Sequence, residues 1–274
     1  MLDIPMTQGI EARNRSLLDR LHRAFEGPFT SADAAESLDL ERDRARRLLA
    51  YLASRGWLSR VRRGLYTTVP LGAASPSDWR EDPWIVAATT FAPCYIGGWS
   101  ACEHWGLTEQ VFRDIVVITA KAVRSTKQVV QGTPFRIKQR EEDLYFGTRT
   151  VWRNRQRVSV SDPSRTVADV LDDPALGGGI RHIADVLCEY LDGEHRDTET
   201  LVKYLERQGN RTAFKRLGYI LETLSREPEL VRACKSRISS GLSALDPTVT
   251  RRGTISKRWN LRVNVRLDAS ESHP

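Results

Sequence analysis

The stretch that most constrains the fold of this chain is residues 30–69, in which two short helical patterns precede a basic hairpin pattern. Either Thr30 or Ser31 can accept hydrogen bonds from the first backbone N–H groups of a helix, which is predicted to extend to Leu38. A longer helix is predicted from Glu41 to Arg55, because its apolar residues recur at helical spacing and form one buried stripe. The members of this stripe are Ala45, Leu48, Leu49 and Leu52.

A β-hairpin is predicted directly after this helix. Gly56 can adopt the left-handed conformation that ends a helix, and two strand patterns, Trp57–Val61 and Leu65–Val69, flank a turn at residues 62–64. An earlier helix over residues 12–25 supplies the apolar side chains that complete a small three-helix core. A basic helix followed by an arginine-tipped hairpin is the layout of a winged helix-turn-helix, so this segment is predicted to bind DNA.

The placement of the basic residues favours contact with DNA over a merely solvated surface. Residues 12–69 contain 12 arginines and seven acidic residues, a net charge of +5, and the arginines gather at the second helix and the hairpin tip. These are the places at which a winged helix touches a duplex. The first lysine of the chain is Lys121, so the choice of arginine over lysine carries little weight, and the positions carry the argument.

The arginines of the second helix are predicted to face the major groove. Arg42, Arg46 and Arg47 lie off the buried stripe and are the predicted major-groove residues, whereas Arg44 is assigned to the edge of the helix. Arginine can form a two-pronged hydrogen bond with guanine or with a phosphate, which suits either contact.

The hairpin and the helix starts are predicted to contact the DNA backbone. Arg62 and Arg63 at the hairpin tip are expected to reach the minor groove or flanking phosphates. Thr30 and Ser31, together with backbone N–H groups at helix starts, are expected to anchor phosphates. The full predicted DNA-binding set is Thr30, Ser31, Arg42, Arg44, Arg46, Arg47, Arg60, Arg62 and Arg63.

Length and composition predict a second, larger domain and a cytoplasmic protein. At 274 residues the chain is too long for a winged helix alone, so three parts are predicted: a winged helix at 1–70, a linker at 71–83 and a further domain at 84–274.

No run of 18 apolar residues and no apolar signal segment is present, so neither a membrane span nor a signal peptide is predicted. The four cysteines lack metal-ligand spacing and are expected to be free thiols. A pI near 9.4 agrees with an anionic partner.

The second domain is predicted to be α+β, with a mixed sheet first and a helical layer behind it. Two helices come first, at Trp84–Phe91 and Gly98–Gly106. The predicted strands are Asp114–Thr119, Pro134–Lys138, Leu144–Trp152 and Gln156–Val160, with a turn at residues 154–155. Helices are then predicted at Ser164–Leu171, Ile180–Leu191, Thr198–Gln208, Thr212–Leu224 and Glu229–Ser239, and a last strand at Trp259–Val265.

No catalytic set, metal site or cofactor site is predicted from this second domain. A restriction-type nuclease would need a carboxylate where Thr119 and Ala120 stand, ahead of Lys121. The glycines at 177–179 lack the residues of a phosphate-binding loop and are expected to cap a helix. The acidic run at 141–143 is the best hidden candidate for a metal site, and a solvated loop is the favoured interpretation.

The segment RGWLSRVRRGLYTTV at residues 55–69 resembles the wing of the AbiEi-type antitoxin regulators of bacterial type IV toxin–antitoxin systems. Further segments resemble the same family in the same order, so that the likeness extends over roughly residues 12–264. These segments are residues 100–110, 158–174, 178–187, 216–224 and 245–264.

The resemblance implies a winged-helix domain that represses its own operon, joined to a larger domain needed for antitoxin action. It implies that the functional partner is a nucleotidyltransferase-like toxin. Antitoxins of this family are generally described as opposing the toxin without forming a stable complex with it, so direct contact between the two proteins is not assumed. The DNA partner is expected to be a double-stranded operator, and a homodimer would match an operator that is an inverted repeat. The expected function is therefore a sequence-specific repressor that acts as an antitoxin and is not an enzyme.

Two alternative functions stay open at the level of the sequence. In the first, the winged helix targets a nuclease or another nucleic-acid enzyme to its substrate. In the second, the wing packs on a partner protein. Salt distinguishes the second alternative from DNA binding, because affinity that depends on phosphate contacts falls steeply as salt rises.

Overall fold

A computed structural model describes residues 10–70, 73, 79–250 and 252–267 of the chain, which form two compact units. The first unit comprises residues up to Thr90 together with 129–132 and 152–157, and the second comprises the remainder. The residues 71, 72 and 74–78 of the predicted linker lie outside the described residues.

The first unit begins with the predicted winged helix-turn-helix, and the fold class predicted from the sequence is confirmed. Its helices are α1 (Ala12–Ala24), α2 (Ser31–Leu38), α3 (Arg42–Ser54) and α4 (Pro83–Thr90). Its strands are β1 (Phe29–Thr30), β2 (Leu58–Arg62) and β3 (Leu65–Thr68), which form one sheet in the order β1-β3-β2. The two-residue strand β1, which pairs antiparallel with β3, was not predicted, because a strand this short has no alternation to read.

The apolar stripe of α3 and the residues around the hairpin close the core of this unit. Ala45, Leu49 and Leu52 are buried, while Leu48 is half-buried at the edge of the stripe. The ring of Phe29 stacks on that of Phe25, with centroids 4.4 Å apart. The predicted stripe is confirmed, and its burial fixes which face of α3 meets solvent.

Residues within and after the predicted linker also belong to the first unit. The buried hydroxyl of Thr67 donates to Oε2 of Glu81 at 2.8 Å. Nε2 of Gln131 donates to the Ser59 hydroxyl at 2.9 Å. The hairpin is thus hydrogen-bonded to segments far along the chain.

The remaining strands include a six-stranded mixed sheet, in the order β6-β7-β5-β4-β9-β8. Its members are β4 (Cys94–Ile96), β5 (Ile115–Thr119), β6 (Lys127–Val130), β7 (Thr133–Gln139), β8 (Thr148–Arg153) and β9 (Gln156–Ser161). β4 is antiparallel to β5 and parallel to β9, and β5 is parallel to β7. A three-stranded sheet has the order β10-β12-β11, formed by β10 (Ser243–Ala244), β11 (Thr254–Ser256) and β12 (Leu261–Val263).

The helical layer of the second unit follows the predicted order. Its helices are α5 (Gly98–His104), α6 (Pro163–Asp172), α7 (Ile180–Asp192), α8 (Thr198–Gln208), α9 (Arg211–Thr223) and α10 (Pro228–Lys235). Their apolar faces share one core, in which Leu187, Leu217 and Trp259 are fully buried. The glycines before Ile180 end in Gly179, the N-cap of α7, as the sequence predicted.

Four details of the predicted second domain are wrong. The predicted strand Leu144–Trp152 begins only at Thr148, because Gly147 has a φ of +62° and a 3-10 turn precedes it. The last strand is three residues long rather than seven, and α10 ends at Lys235 rather than Ser239. The strands β4, β6, β10 and β11 were not predicted, because two to four residues give too little periodicity.

All four cysteines are free thiols. Cys102 and Cys234 are buried, whereas Cys94 and Cys188 are half-buried. Burial raises the pKa of the Cys94, Cys102 and Cys234 thiols to about 12, because desolvation penalises the thiolate. Within the described parts of the chain, no helix is long and apolar enough to cross a membrane.

Close packing between α9 and Trp259 yields a test of the core. A methyl group at Gly218 would overlap the buried indole ring of Trp259, whose Nε1 donates to Oε2 of Glu222 at 2.7 Å. We expect Gly218→Ala to lower the free energy of unfolding by ~1–3 kcal/mol, because the ring has no room to move.

The matched control for this substitution is Gly241→Ala, since a methyl group there meets no atom within 4 Å and the backbone has no left-handed strain. Urea denaturation of both variants measures the difference. Equal stability of the two variants would show that the indole yields to the added methyl group.

Candidate nucleic-acid interface

Helix α3 presents several arginines to solvent. Burial of its apolar stripe leaves the opposite side of this 13-residue helix exposed. The four arginines predicted for this helix are all exposed, namely Arg42, Arg44, Arg46 and Arg47. Four guanidinium groups on one short helix create a strongly positive surface.

One of these arginines already has an acidic neighbour. Nη2 of Arg46 lies 2.9 Å from Oδ1 of Asp43, with 69% and 72% of the two side chains exposed. An ion pair this exposed contributes at most about 1 kcal/mol, because water screens it. A phosphate could therefore replace Asp43 at little cost.

The wing is a short hairpin whose tip carries three exposed arginines. Arg60 pairs with Tyr66 and Arg62 with Leu65, so Val61 is an extra residue in β2 and forms a bulge. Ser59 and Val61 point inward and alternate with the exposed Arg60 and Arg62. The arginines of β2 therefore share the outer face of the hairpin.

The turn of the wing consists of Arg63 and Gly64 between the paired residues Arg62 and Leu65. Gly64 has a φ of +77°, which a residue with a side chain rarely adopts, and its surroundings are open. Arg63 is exposed at this tip. The geometry leaves the tip arginines free of packing, as the sequence predicted for the turn.

The start of α2 is closed by a reciprocal pair of hydrogen bonds. The Asp33 N–H donates to Oγ1 of Thr30 at 3.2 Å, and the Thr30 N–H donates to Oδ2 of Asp33 at 2.7 Å. This capping box satisfies two backbone donors and places a carboxylate in the first turn. The carboxylate lowers the attraction of this helix end for a phosphate, although the Thr30 hydroxyl can still donate. Ser31 is half-exposed beside it.

Helix α1 contributes a histidine that is neutral near pH 7. Burial lowers the pKa of His22 from its ordinary value, and the Asp19 carboxylate opposes that shift. Asp19 itself pairs with Arg23, the two groups lying 2.9 Å apart. The positive charge of the module therefore comes from its arginines.

The structure places the nine predicted residues on three elements. The arginines of α3 form one group, those of the wing form a second, and Thr30 and Ser31 begin α2. Among the described residues, six of the seven arginines have no ion-pair partner, and Arg46 is the exception. Exposed, unpaired guanidinium groups suit an anionic ligand. Contact of any of the nine with DNA remains a prediction.

A second group of arginines in the first unit was missed by sequence reasoning. The tip of the β8–β9 hairpin carries Arg153, Arg155 and Arg157, and Nη1 of Arg155 lies 3.3 Å from Oε1 of Glu26. The signal in the sequence was the run RNRQR around the predicted turn, but only tertiary contact shows that this run joins the winged helix.

The main cluster of buried charged groups in the second unit is structural in character. Nε of Arg165 lies 2.9 Å from Oδ1 of Asp169, which also accepts from Gln208 at 2.7 Å, and the Tyr95 hydroxyl donates to Oδ2 at 2.9 Å. Burial raises the pKa of Asp169, and the charge of Arg165 opposes that shift. Arg165, Asp169 and Tyr95 are buried, so removing one of them would leave an unpaired charged or polar group in the interior.

The acidic run predicted as the hidden metal candidate is a surface turn. Glu141, Glu142 and Asp143 are exposed at a 3-10 turn. In the part of the chain that the structure describes, no group of three His, Cys, Asp or Glu side chains is arranged to hold a metal ion.

Winged-helix architecture with an arginine face on α3 and an arginine-tipped wing defines a class of nucleic-acid-binding module. Residues 15–69 match the family model described as transcriptional regulator, AbiEi antitoxin. The family resemblance drawn from the sequence is confirmed over this segment, and the match supports a regulatory role.

Nearly the whole chain resembles a solved structure in its fold. That structure is the crystal structure of the RV2827C protein from Mycobacterium tuberculosis, with a TM-score of 0.67 and 16% sequence identity. The match covers 93% of this chain and 92% of that one. At this identity the likeness shows a shared fold. No curated protein sequence matches the chain.

The capping box yields a test of how α2 is held at the predicted interface. We expect Thr30→Ala to lower the free energy of unfolding by ~1 kcal/mol, because one backbone donor loses its acceptor. Thr30→Ser keeps the oxygen and serves as the matched control. Thermal melts compare the two variants, and equal melting temperatures would show that the cap contributes nothing to stability.

Proposed function

We propose that this chain is a sequence-specific DNA-binding repressor that acts as the antitoxin of a toxin–antitoxin operon. The single observation that carries the proposal is the set of exposed arginines on α3 and the wing, six of which lack an ion-pair partner among the described residues. The family match over residues 15–69 supports the regulatory part of the proposal.

In the proposed complex, the arginines of α3 enter the major groove. Arg42, Arg46 and Arg47 would bind guanine edges or phosphates, and Arg44 would bind the backbone at the helix edge. Binding would exchange the Asp43 carboxylate for DNA at Arg46, since the existing pair is exposed and weak.

The wing would bind beside the major-groove site. Arg60 and Arg62 on the outer face of β2, and Arg63 at the turn, would lie along the minor groove or its phosphates. A narrow A·T-rich minor groove attracts arginine through its negative potential. Thr30 and Ser31 would anchor a phosphate through their hydroxyl groups.

The remaining parts of the proposal follow from the family resemblance. The operator would be a double-stranded inverted repeat, bound by a homodimer, in the cytoplasm where the DNA lies. The functional partner would be a nucleotidyltransferase-like toxin, with direct contact left open. Residues 1–70 would bind DNA, and residues 84–274 would supply the antitoxin action.

DNA binding can be tested on the duplex upstream of the gene for this chain. We expect the protein to shift this duplex in a gel, with an affinity that falls steeply as salt rises. Arg46→Ala/Arg47→Ala should weaken binding by ~1–3 kcal/mol for each arginine that binds a base, with the fold intact. Arg62→Ala/Arg63→Ala should weaken it by a similar amount.

The matched control is Lys203→Ala/Arg232→Ala, which removes two exposed cations of the second unit, each beside a glutamate on its own helix. We expect this control to bind like the wild type. An affinity that ignores salt, or that is equal in all the variants, would contradict the proposal and favour a protein partner for the wing.

The proposal includes the absence of catalytic activity. The nuclease alternative predicts the opposite, so an activity assay distinguishes the two. We expect no cleavage or modification of DNA, RNA or nucleotides with Mg²⁺ or Mn²⁺, because metal-dependent hydrolysis needs convergent carboxylates. Replacing Glu141, Glu142 and Asp143 by their amides should leave stability and DNA binding nearly unchanged, since all three are exposed. If the wild-type protein cleaves or modifies nucleic acid and these substitutions abolish that activity, the nuclease alternative is supported.

A further inference from the structure

The tip of the β8–β9 hairpin is a second basic projection of the first unit. Asn154 and Arg155 both have positive φ values, 45° and 66°, which is the geometry of a tight two-residue hairpin turn. Residues 152–157 belong to the same compact unit as the winged helix. Because β8 is an edge strand of its sheet, this hairpin has an uncovered side.

The chemistry of this tip suits a polyanion. Residues 148–157 contain four arginines and no acidic residue. The side chain of Arg155 is 83% exposed, and Arg157 is exposed as well. The guanidinium of Arg157 lies 5.0 Å from the ring centroid of Trp152, which is itself 60% exposed. An exposed tryptophan bearing a cation presents both an apolar surface and a charge, which matches a sugar–phosphate chain.

The tip lies against the segment that leads into α2. Arg155 pairs with Glu26, and the side chain of Gln156 lies beside Gly27, where an added methyl group would come within 3.1 Å of its Cδ. Glu26 is four residues before Thr30, the N-cap of α2, so the chain between them spans at most about 14 Å. The tip is therefore close to a helix end that the proposed function places at the DNA backbone.

We propose that Trp152, Arg155 and Arg157 bind the backbone of duplex DNA that flanks the site read by the winged helix. This inference rests on the proposed function and adds a second contact to it. Arg155 and Arg157 bind phosphates, and Trp152 packs on deoxyribose. The Arg155–Glu26 pair does not prevent this, because both groups are exposed and a phosphate competes with a screened carboxylate.

Charge favours DNA over a protein as the occupant of this surface. An exposed tryptophan alone would suit a protein partner, but here the guanidinium of Arg157 lies over its ring, and Arg155 is exposed at the adjacent turn. Arg153 stays out of the contact, since its guanidinium packs over the ring of Trp84, 4.4 Å from the centroid. The surface thus offers two exposed cations around one aromatic side chain.

The experiment compares two duplexes that share one operator. Footprinting on the upstream DNA defines the shortest duplex that the full-length protein binds, and the second duplex adds random sequence at both ends. We expect the wild type to bind the longer duplex more tightly by about tenfold or more, a gain of ~1.4 kcal/mol. Arg155→Gln/Arg157→Gln should remove most of that gain and reduce the salt slope by about 2.

Two further variants test whether the charge at this hairpin tip controls the gain in affinity from the flanking DNA. Glu26→Gln removes the carboxylate beside Arg155 and should increase the gain from the flanks, whereas Lys203→Gln/Arg232→Gln removes two cations elsewhere and should leave it unchanged. Thermal melts of each variant confirm that the fold is intact.

The outcomes separate this inference from the proposed function. If Arg46→Ala/Arg47→Ala weakens binding to both duplexes while Arg155→Gln/Arg157→Gln lowers only the flank-dependent gain, both ideas are supported. An equal gain in the wild type and in Arg155→Gln/Arg157→Gln, or no gain in either, overturns the hairpin contact and leaves the repressor intact. Failure of the wild type to bind any upstream duplex overturns both.

Discussion

The orientation of the exposed arginines on α3 depends on the burial of one apolar stripe of the same helix. Ala45, Leu49 and Leu52 have no other orientation in which they leave water together, so their packing fixes the rotation of the helix about its axis. The same rotation turns the four arginines of this helix toward solvent. The hydrophobic core thus determines the direction of the charged face, and a substitution in the stripe would disturb both.

Concentration of charge has an energetic cost in the free protein. The net charge of +5 over residues 12–69 remains after seven acidic residues are counted, and this excess is repulsive in a module with a small core. An anionic ligand relieves this repulsion, so binding a polyanion would stabilise the fold. Functional surfaces of proteins commonly lower the stability of the folded state in this way, because the groups that bind a ligand are not arranged for maximal stability.

The sequence predicted the parts of the fold that have strong local signals. The stripe of α3, the glycine-ended turn of the wing and the order of α6 to α9 follow from periodicity and turn residues, and the structure confirms them. The strands β1 and β4 pair with distant segments, which a single short stretch does not reveal, and β6 is too short to show an alternation. The exposed arginines of α3 and the wing were found from the sequence, while the β8–β9 tip was not, because its nearness to Glu26 arises only in three dimensions.

The burial of the cysteines has a consequence for how the protein responds to oxidants. Peroxide attacks the thiolate, and a thiol with a pKa near 12 is almost wholly protonated at neutral pH. Cys94, Cys102 and Cys234 are therefore slow to form sulfenic acid, which would place a polar oxygen among apolar side chains. These three thiols are therefore poorly suited to sense peroxide.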